Sequence, residues 1–267
     1  MSRAAALPAQ ARTAVEAVRA ALEVLHARES ADKMVAKGGL DMATGTDVRS
    51  QEVIQSILER AHPELAFVGE ETDADTVPTS GSYWLVDPIC GTRNFAYAVP
   101  LYSVNVALVE DGEVTIAAVG DGAHGDVWVA ARGGGAWLST TGGLRPAKVS
   151  DSSAMVVIDS GRPGGPAASK ASRVIAAALR DGRWELRTLG STLDLAYLAA
   201  GRVAGVWHFS RIHPLHFAAG VLLAVEAGAV VTDERAQPWR LDVAEGVVAA
   251  ATPALHEALM SLLPEDG

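Results

Sequence analysis

The chain has 267 residues, 49% of them hydrophobic, with 32 acidic and 22 basic side chains and a formal net charge of −10. That length and apolar content support a well-buried core in one large domain or two tightly packed halves. The acidic balance removes the electrostatic basis for binding nucleic acid or an anionic membrane and leaves a small molecule as the expected partner.

A single cysteine excludes an internal disulfide framework and points to a reducing cytoplasm. The opening segment, Met1 to Pro8, lacks the apolar core of a signal peptide. The longest apolar stretch, Ala218 to Val231, is interrupted by Glu226 and is too short to span a bilayer. Neither a leader nor a membrane anchor is expected.

From Thr13 to Arg28, Val15, Val18, Leu22 and Leu25 recur at helical steps and predict an amphipathic helix. Lys37-Gly38-Gly39 breaks that pattern. Thr46-Asp47 offers an N-cap for a second helix that buries Val53, Ile54, Ile57 and Leu58 and ends at His62-Pro63. Leu65 to Val68 reads as a strand delivering Gly69-Glu70-Glu71-Thr72, and the polar segment Asp73 to Ser82 reads as a loop.

A strand from Tyr83 to Val86 then meets Asp87-Pro88-Ile89-Cys90-Gly91-Thr92-Arg93-Asn94-Phe95. An apolar run ending in an acid and a small-residue turn is suited to holding a cation beside a phosphate. Cys90 is the odd residue, because a hard cation prefers a carboxylate there. Ser103 to Val109, Val114 to Val119 and Asp126 to Ala130, separated by glycine turns, predict an antiparallel meander. The glycines of Arg132 to Trp137 continue it and do not form a dinucleotide fingerprint.

Beyond residue 150 the texture changes to alternating strands and helices: Met155 to Ile158, Ala168 to Leu179, Thr192 to Ala200, Val203 to Phe209, Phe217 to Ala227 and Ala229 to Thr232. Such alternation implies an α/β half with crossover connections. The expected organisation is an N-terminal α+β half over 1–150 carrying the motifs and an α/β half over 151–267 completing a cleft.

With these elements placed, the chain resembles the inositol monophosphatase family along nearly its whole length. Asp41 to Asp47 is similar to the family's Asp-x-x-Thr-x-x-Asp, Gly69-Glu70-Glu71 to its Gly-Glu-Glu, and Asp87 to Phe95 to its Asp-Pro-Ile-Asp-Gly-Thr-x-Asn-Phe. Leu189-Gly190-Ser191 and Ala199 to Arg202 resemble its substrate-side segment. Leu215-His216-Phe217-Ala218-Ala219-Gly220 and Glu226-Ala227-Gly228 stand where the family has Trp-Asp-x-Ala-Ala-Gly and Glu-Ala-Gly.

The resemblance implies an α-β-α-β-α sandwich, a homodimer, and Mg²⁺-dependent hydrolysis of small phosphate monoesters. It assigns Glu70, Asp87 and the Ile89 carbonyl to one metal ion. Thr92 would orient the attacking water with Glu70 as base partner, and Asp47 would support the Thr92 hydroxyl. Gly91, Thr92, Gly190 and Ser191 fall to phosphate or substrate binding. The chemistry is intelligible by itself, because phosphoryl transfer needs charge neutralisation on the equatorial, attacking and leaving oxygens.

The pattern breaks at the second metal, which in the resembling enzymes takes Asp87 and two more carboxylates, at the positions of Cys90 and His216. Thiol and imidazole are poor partners for Mg²⁺. Leu215 replaces a Trp, Gln51 replaces a helix-two Glu, and Trp207-His208-Phe209 lacks a substrate-contacting Glu.

Three readings follow. Hydrolysis survives on one Mg²⁺, or with a softer ion such as Zn²⁺ on Asp87, Cys90 and His216, whose side chains are zinc-ligand types. Alternatively the pocket works without metal, with Cys90, His213 and His216 beside Asp87 and Glu70 as acid, base or nucleophile in an isomerisation, elimination or cyclisation. Third, the chain is a non-catalytic relative that binds a ligand or partner. His26, His62, His124 and His256 stand apart and read as exposed bystanders, and the six tryptophans read as core.

Overall fold

In the computed structural model, four clusters of buried apolar side chains separate five layers, in the order helix, sheet, helix, sheet, helix. The structure describes residues 7–27, 35–38, 41–43, 45–72, 78, 80–159, 164, 166–209, 213–242 and 246–263, of which 35–38, 41–43 and 166 are described in backbone only. No helix among the described residues is long and apolar enough to cross a membrane.

The first layer is α1 (Ala9–His26) against α2 (Gly45–Ala61). Val15, Val18, Leu22 and Leu25 are buried as their spacing predicts. Between these helices, β1 (Val35–Gly38) and β2 (Asp41–Ala43) pair as a short antiparallel hairpin, where the sequence had shown only a break. Thr46 and Asp47 lie inside the first turn of α2 rather than at its N-cap, since the helix begins one residue earlier, at Gly45.

The large sheet has the order β3-β4-β5-β6-β7-β8-β9, built from β3 (Ala66–Gly69), β4 (Ser82–Cys90), β5 (Ser103–Glu110), β6 (Glu113–Asp121), β7 (Val127–Ala131), β8 (Gly135–Thr140) and β9 (Gly143–Pro146). Only β3 and β4 run parallel; the rest form the expected meander. Alternation sorts β4 cleanly: Trp84 and Val86 face α1 and α2, while Tyr83 and Leu85 face the middle helices.

β4 does not stop at Asp87-Pro88 as expected but runs on to Cys90. Asp87 pairs with Asn105 and Cys90 with Ser103, so three steps on β4 oppose two on β5 and the strand bulges. The irregularity accommodates Pro88, which has no N–H for the ladder.

The middle layer is α5 (Leu193–Ala199) and α6 (Pro214–Glu226). α6 is buried nearly all round, at Leu215 and from Phe217 to Ala224, because it lies between two sheets. Leu215, Ala218 and Leu222 face the large sheet, whereas Phe217, Val221 and Ala224 face the small one.

The small sheet has the order β11-β10-β12-β14-β13, from β10 (Met155–Asp159), β11 (Glu185–Arg187), β12 (Gly205–His208), β13 (Val230–Thr232) and β14 (Val247–Ala250). β10, β11 and β12 are parallel, and β14 runs against its neighbours. The short strand β11, the strand β14 and helix α7 (Pro253–Met260) carry too few residues for a periodic signal, and only the structure reveals them. α4 (Pro166–Asp181) and α7 close the outer face over Trp207 and Ile158. This is the α-β-α-β-α sandwich.

His256 is 6% exposed, with its Nε2 2.8 Å from Thr232 Oγ1. It is therefore a buried group and not the surface bystander its isolation in the sequence implied. Burial holds its pKa below the ordinary imidazole value.

Candidate functional site

The end of β4 is pinned from both sides. Ser50 Oγ on α2 donates to the Pro88 carbonyl at 3.1 Å, and Ser191 Oγ donates to the Cys90 carbonyl at 3.0 Å. Gly91 then turns the chain with φ +96°, a left-handed conformation costly for a residue with a Cβ. A Cβ there would also stand 3.0 Å from Leu101 O and from Ser191 Cβ. The turn delivers α3 (Thr92–Ala96), and Asn94 Nδ2 ties it to the carbonyls of Leu101 and Leu189 at 2.6 and 2.7 Å.

Thr92 Oγ1 lies 3.2 Å from Asp47 Oδ1 and 3.0 Å from the Ile89 carbonyl. One hydroxyl hydrogen serves both acceptors, so the lone pairs of Thr92 Oγ1 remain to accept from a third group. Asp47 is 1% exposed and reaches this point because it sits in the first turn of α2.

Glu70 follows β3, half-buried, its N–H donating to Val86 O at 3.1 Å. Gln51, 3% exposed, holds the turn that carries it: Gln51 Oε1 accepts from Glu71 N at 2.9 Å and Nε2 donates to Thr72 Oγ1 at 3.1 Å. Gly69 leaves room for this clamp, because a Cβ there would stand 2.3 Å from Gln51 Oε1 and displace it. The sequence marked Gln51 only as a departure; its function as a clamp had no motif to announce it.

The far half of the chain meets Asp87 through His216. His216 Nδ1 lies 2.6 Å from Asp87 Oδ2, with Asp87 fully buried and His216 21% exposed. The other carboxylate oxygen, Asp87 Oδ1, is buried with no hydrogen-bond partner. Burial pulls the His216 imidazole down, but the charge and hydrogen bond of Asp87, with help from Cys90, outweigh it and leave the pKa well above the ordinary value. Burial and the Asp87 charge push the Cys90 thiol up against its donors His216 and Thr192.

Cys90 Sγ is 3.0 Å from Thr192 Oγ1 and 3.4 Å from Thr192 N. Asn105 Nδ2 donates to Thr192 Oγ1 at 3.0 Å and reaches the His216 carbonyl at 3.4 Å. Neither Asn105 nor Thr192 was singled out in the sequence, although a lone Asn within the apolar run Val104-Asn105-Val106 is a usable signal of a buried polar contact.

Asp87, Cys90 and His216 bring one ligand atom each within 4.8 Å of one another, the only such trio of His, Cys, Asp or Glu among the described residues. His213 does not join it; this residue is the N-cap of α6, with Nδ1 accepting from Leu215 N at 3.3 Å. Ser191 is 4% exposed, and its hydroxyl also accepts from Leu193 N at 3.2 Å. Gly190 has φ +65°, and a Cβ there would stand 3.5 Å from Asn94 Nδ2. The Asp41 side chain, Arg162, Arg211 and most of the 73–82 loop lie outside the described residues.

For Mg²⁺, the Asp87 carboxylate fits in kind: one of its oxygens is buried without a hydrogen-bond partner, and Glu70 and the Ile89 carbonyl are further oxygen donors of the type the ion prefers. The Cys90 and His216 side does not fit, because sulfur and imidazole are poor Mg²⁺ donors.

Comparison with known proteins agrees with this fold. The inositol monophosphatase family model matches residues 7–266. An inositol-1-monophosphatase of Mesorhizobium japonicum is 33% identical over 230 residues, covering 84% of this chain and 83% of that protein. The Nus factor SuhB of Vibrio cholerae is 30% identical over 242 residues, 90% of this chain and 89% of its own. Among solved structures, the extragenic suppressor protein SuhB from Bartonella henselae superposes with a TM-score of 0.83 at 25% identity, covering 97% of this chain and 100% of that one. The chain belongs to the inositol monophosphatase family.

Proposed function

We propose that this protein hydrolyses the phosphate monoester of a small metabolite, with a single Mg²⁺ held by Glu70, Asp87 and the Ile89 carbonyl. The observation that carries the reading is the joint presence of a buried, half-partnered Asp87 carboxylate and the Thr92 hydroxyl held by Asp47 and Ile89. Bound Mg²⁺ supplies charge neutralisation to the phosphoryl oxygens and makes water a better nucleophile.

The chain's own groups do the rest. Asp47 and the Ile89 carbonyl fix the Thr92 hydroxyl hydrogen, so Thr92 Oγ1 accepts a hydrogen bond from the attacking water and orients it. Glu70 takes the water's other proton. The backbone of the Gly91-Thr92 turn, with Gly190 and Ser191 from the facing segment, holds the phosphate. A homodimer and a small-molecule partner complete the proposal.

A second reading, metal-free chemistry by Cys90 and His216, is favoured by the Asp87 to His216 contact at 2.6 Å. One screen separates the two: phosphate release from inositol, sugar and nucleotide monophosphates with Mg²⁺, Mn²⁺ or Zn²⁺. Release that requires metal and disappears in Glu70→Gln and Asp87→Asn supports hydrolysis. No release under any condition sinks it.

A further inference from the structure

The side of the cleft that rejects Mg²⁺ has the makings of a different centre. One ligand atom from each of Asp87, Cys90 and His216 lies within 4.8 Å of the others. Around a tetrahedral zinc ion with bonds of about 2.0–2.3 Å, ligand atoms stand roughly 3.3–3.8 Å apart, so small side-chain shifts bring this trio to three corners of such a site. We propose that Asp87, Cys90 and His216 bind a borderline-soft divalent cation of the zinc class, with the fourth position open to the cleft.

Four features support the site beyond the trio itself. Asp87 is fully buried, with one oxygen on His216 and the other without a partner, so its carboxylate is short of the hydrogen bonds or cation that a buried charge requires. The sulfur of Cys90 is within reach of two groups outside the trio, the Thr192 hydroxyl at 3.0 Å and the Thr192 N–H at 3.4 Å. Because Asn105 Nδ2 donates to Thr192 Oγ1, the hydroxyl hydrogen is left for the sulfur. A thiol that merely filled space would need none of these donors, whereas a metal-bound thiolate uses outer donors of this kind.

Finally, Asn105 Nδ2 reaches both Thr192 Oγ1 and the His216 carbonyl, so one buried side chain positions the supports of two ligands. Exposure is graded, 0% for Asp87, 7% for Cys90 and 21% for His216, which leaves the His216 side open for a fourth ligand. Binding replaces the proton between His216 and Asp87 and the thiol proton of Cys90, both released to solvent. The inference does not depend on the hydrolytic reading, since it concerns binding alone.

The test titrates the metal-free full-length protein with Co²⁺, a spectroscopic stand-in for Zn²⁺. The expected result is a saturable near-ultraviolet thiolate-to-cobalt band with intense visible bands of tetrahedral cobalt, bleached by Zn²⁺ and untouched by excess Mg²⁺. Cys90→Ser loses the thiolate band. Thr192→Val, which keeps all three ligands, retains the band and weakens binding about 10-fold, the low end for loss of an outer support. Absence of any thiolate band in the wild-type protein, a band that persists in Cys90→Ser, or displacement of Co²⁺ by Mg²⁺ overturns the proposal. Because no turnover is measured, failure here leaves the hydrolytic reading standing, and the reverse holds too.

Discussion

His216 Nδ1 lies 2.6 Å from Asp87 Oδ2, joining the start of α6 to the bulged end of β4 across 129 residues of sequence. It is the only hydrogen-bond partner of the Asp87 side chain among the described residues, since the second oxygen has none.

Removing that partner is costly in a defined way. His216→Ala leaves a buried carboxylate uncompensated and is expected to lower stability by about 3 kcal/mol, the low end for a broken buried pair because His216 is 21% exposed. Asp87→Asn added to His216→Ala recovers part of the loss. Urea denaturation of both single variants and the double reads the coupling; strict additivity contradicts it.

Restoring carboxylates tests how the site diverged. Cys90→Asp with His216→Asp places three acids at one buried point, which repel without a cation. The double variant is expected to melt below wild type in chelator and to gain about 2.7 kcal/mol from Mg²⁺ at roughly a hundredfold excess over Kd. Its Mg²⁺-dependent phosphate release should rise. A thermal scan with no Mg²⁺ response shows that these two positions do not account for the altered centre.

Gln51 holds the Glu70 turn through Glu71 N and Thr72 Oγ1. Gln51→Ala is expected to cost about 1–3 kcal/mol for the lost hydrogen bonds and to raise the metal concentration needed for half-maximal phosphate release. Gln51→Glu keeps an acceptor for Glu71 N–H, and the Thr72 hydroxyl can turn to donate, but it buries a carboxylate, so its stability is restored toward wild type as the pH is lowered and the acid becomes neutral, whereas that of Gln51→Ala is not. Equal losses in both variants at a pH low enough to protonate the introduced acid contradict the clamp.

The buried His256 gives a pH signature. Its folded pKa is depressed by burial, so unfolding allows uptake of a proton that the folded state refuses. Its stabilising contribution is therefore present above the unfolded imidazole pKa of about 6.5 and is lost as the pH falls below that value toward the folded pKa. Unfolding free energies measured between pH 7.5 and 5 should fall less steeply in His256→Gln than in wild type. A steeper fall in the variant contradicts this assignment.

Periodicity made much of the fold legible. The stripe of Val15, Val18, Leu22 and Leu25 and the glycine-punctuated runs after Ser103 record local geometry that packing then obeys. Proline usually closes a strand, so the sequence places the end of β4 at Asp87-Pro88, whereas a bulge absorbs the proline here. Cys90 and His216 were legible as departures from a family pattern, but their mutual distance belongs to the tertiary fold. Asn105 and Thr192, and the clamping role of Gln51, carry no local signal because each acts through one or two hydrogen bonds to residues distant in sequence, which no local pattern encodes. His213 looked equivalent to His216 by spacing; the start of α6 at Pro214 makes one the cap and the other a first-turn residue.

The most direct measurement is inorganic phosphate released by the purified protein from a panel of inositol, sugar and nucleotide monophosphates, with and without Mg²⁺, compared with Glu70→Gln. Metal-dependent release by the wild type that falls to background in Glu70→Gln is the predicted result. Release that is indifferent to chelator and to Glu70→Gln, or no release from any substrate with any of Mg²⁺, Mn²⁺ and Zn²⁺, contradicts hydrolysis at the Glu70 and Asp87 centre.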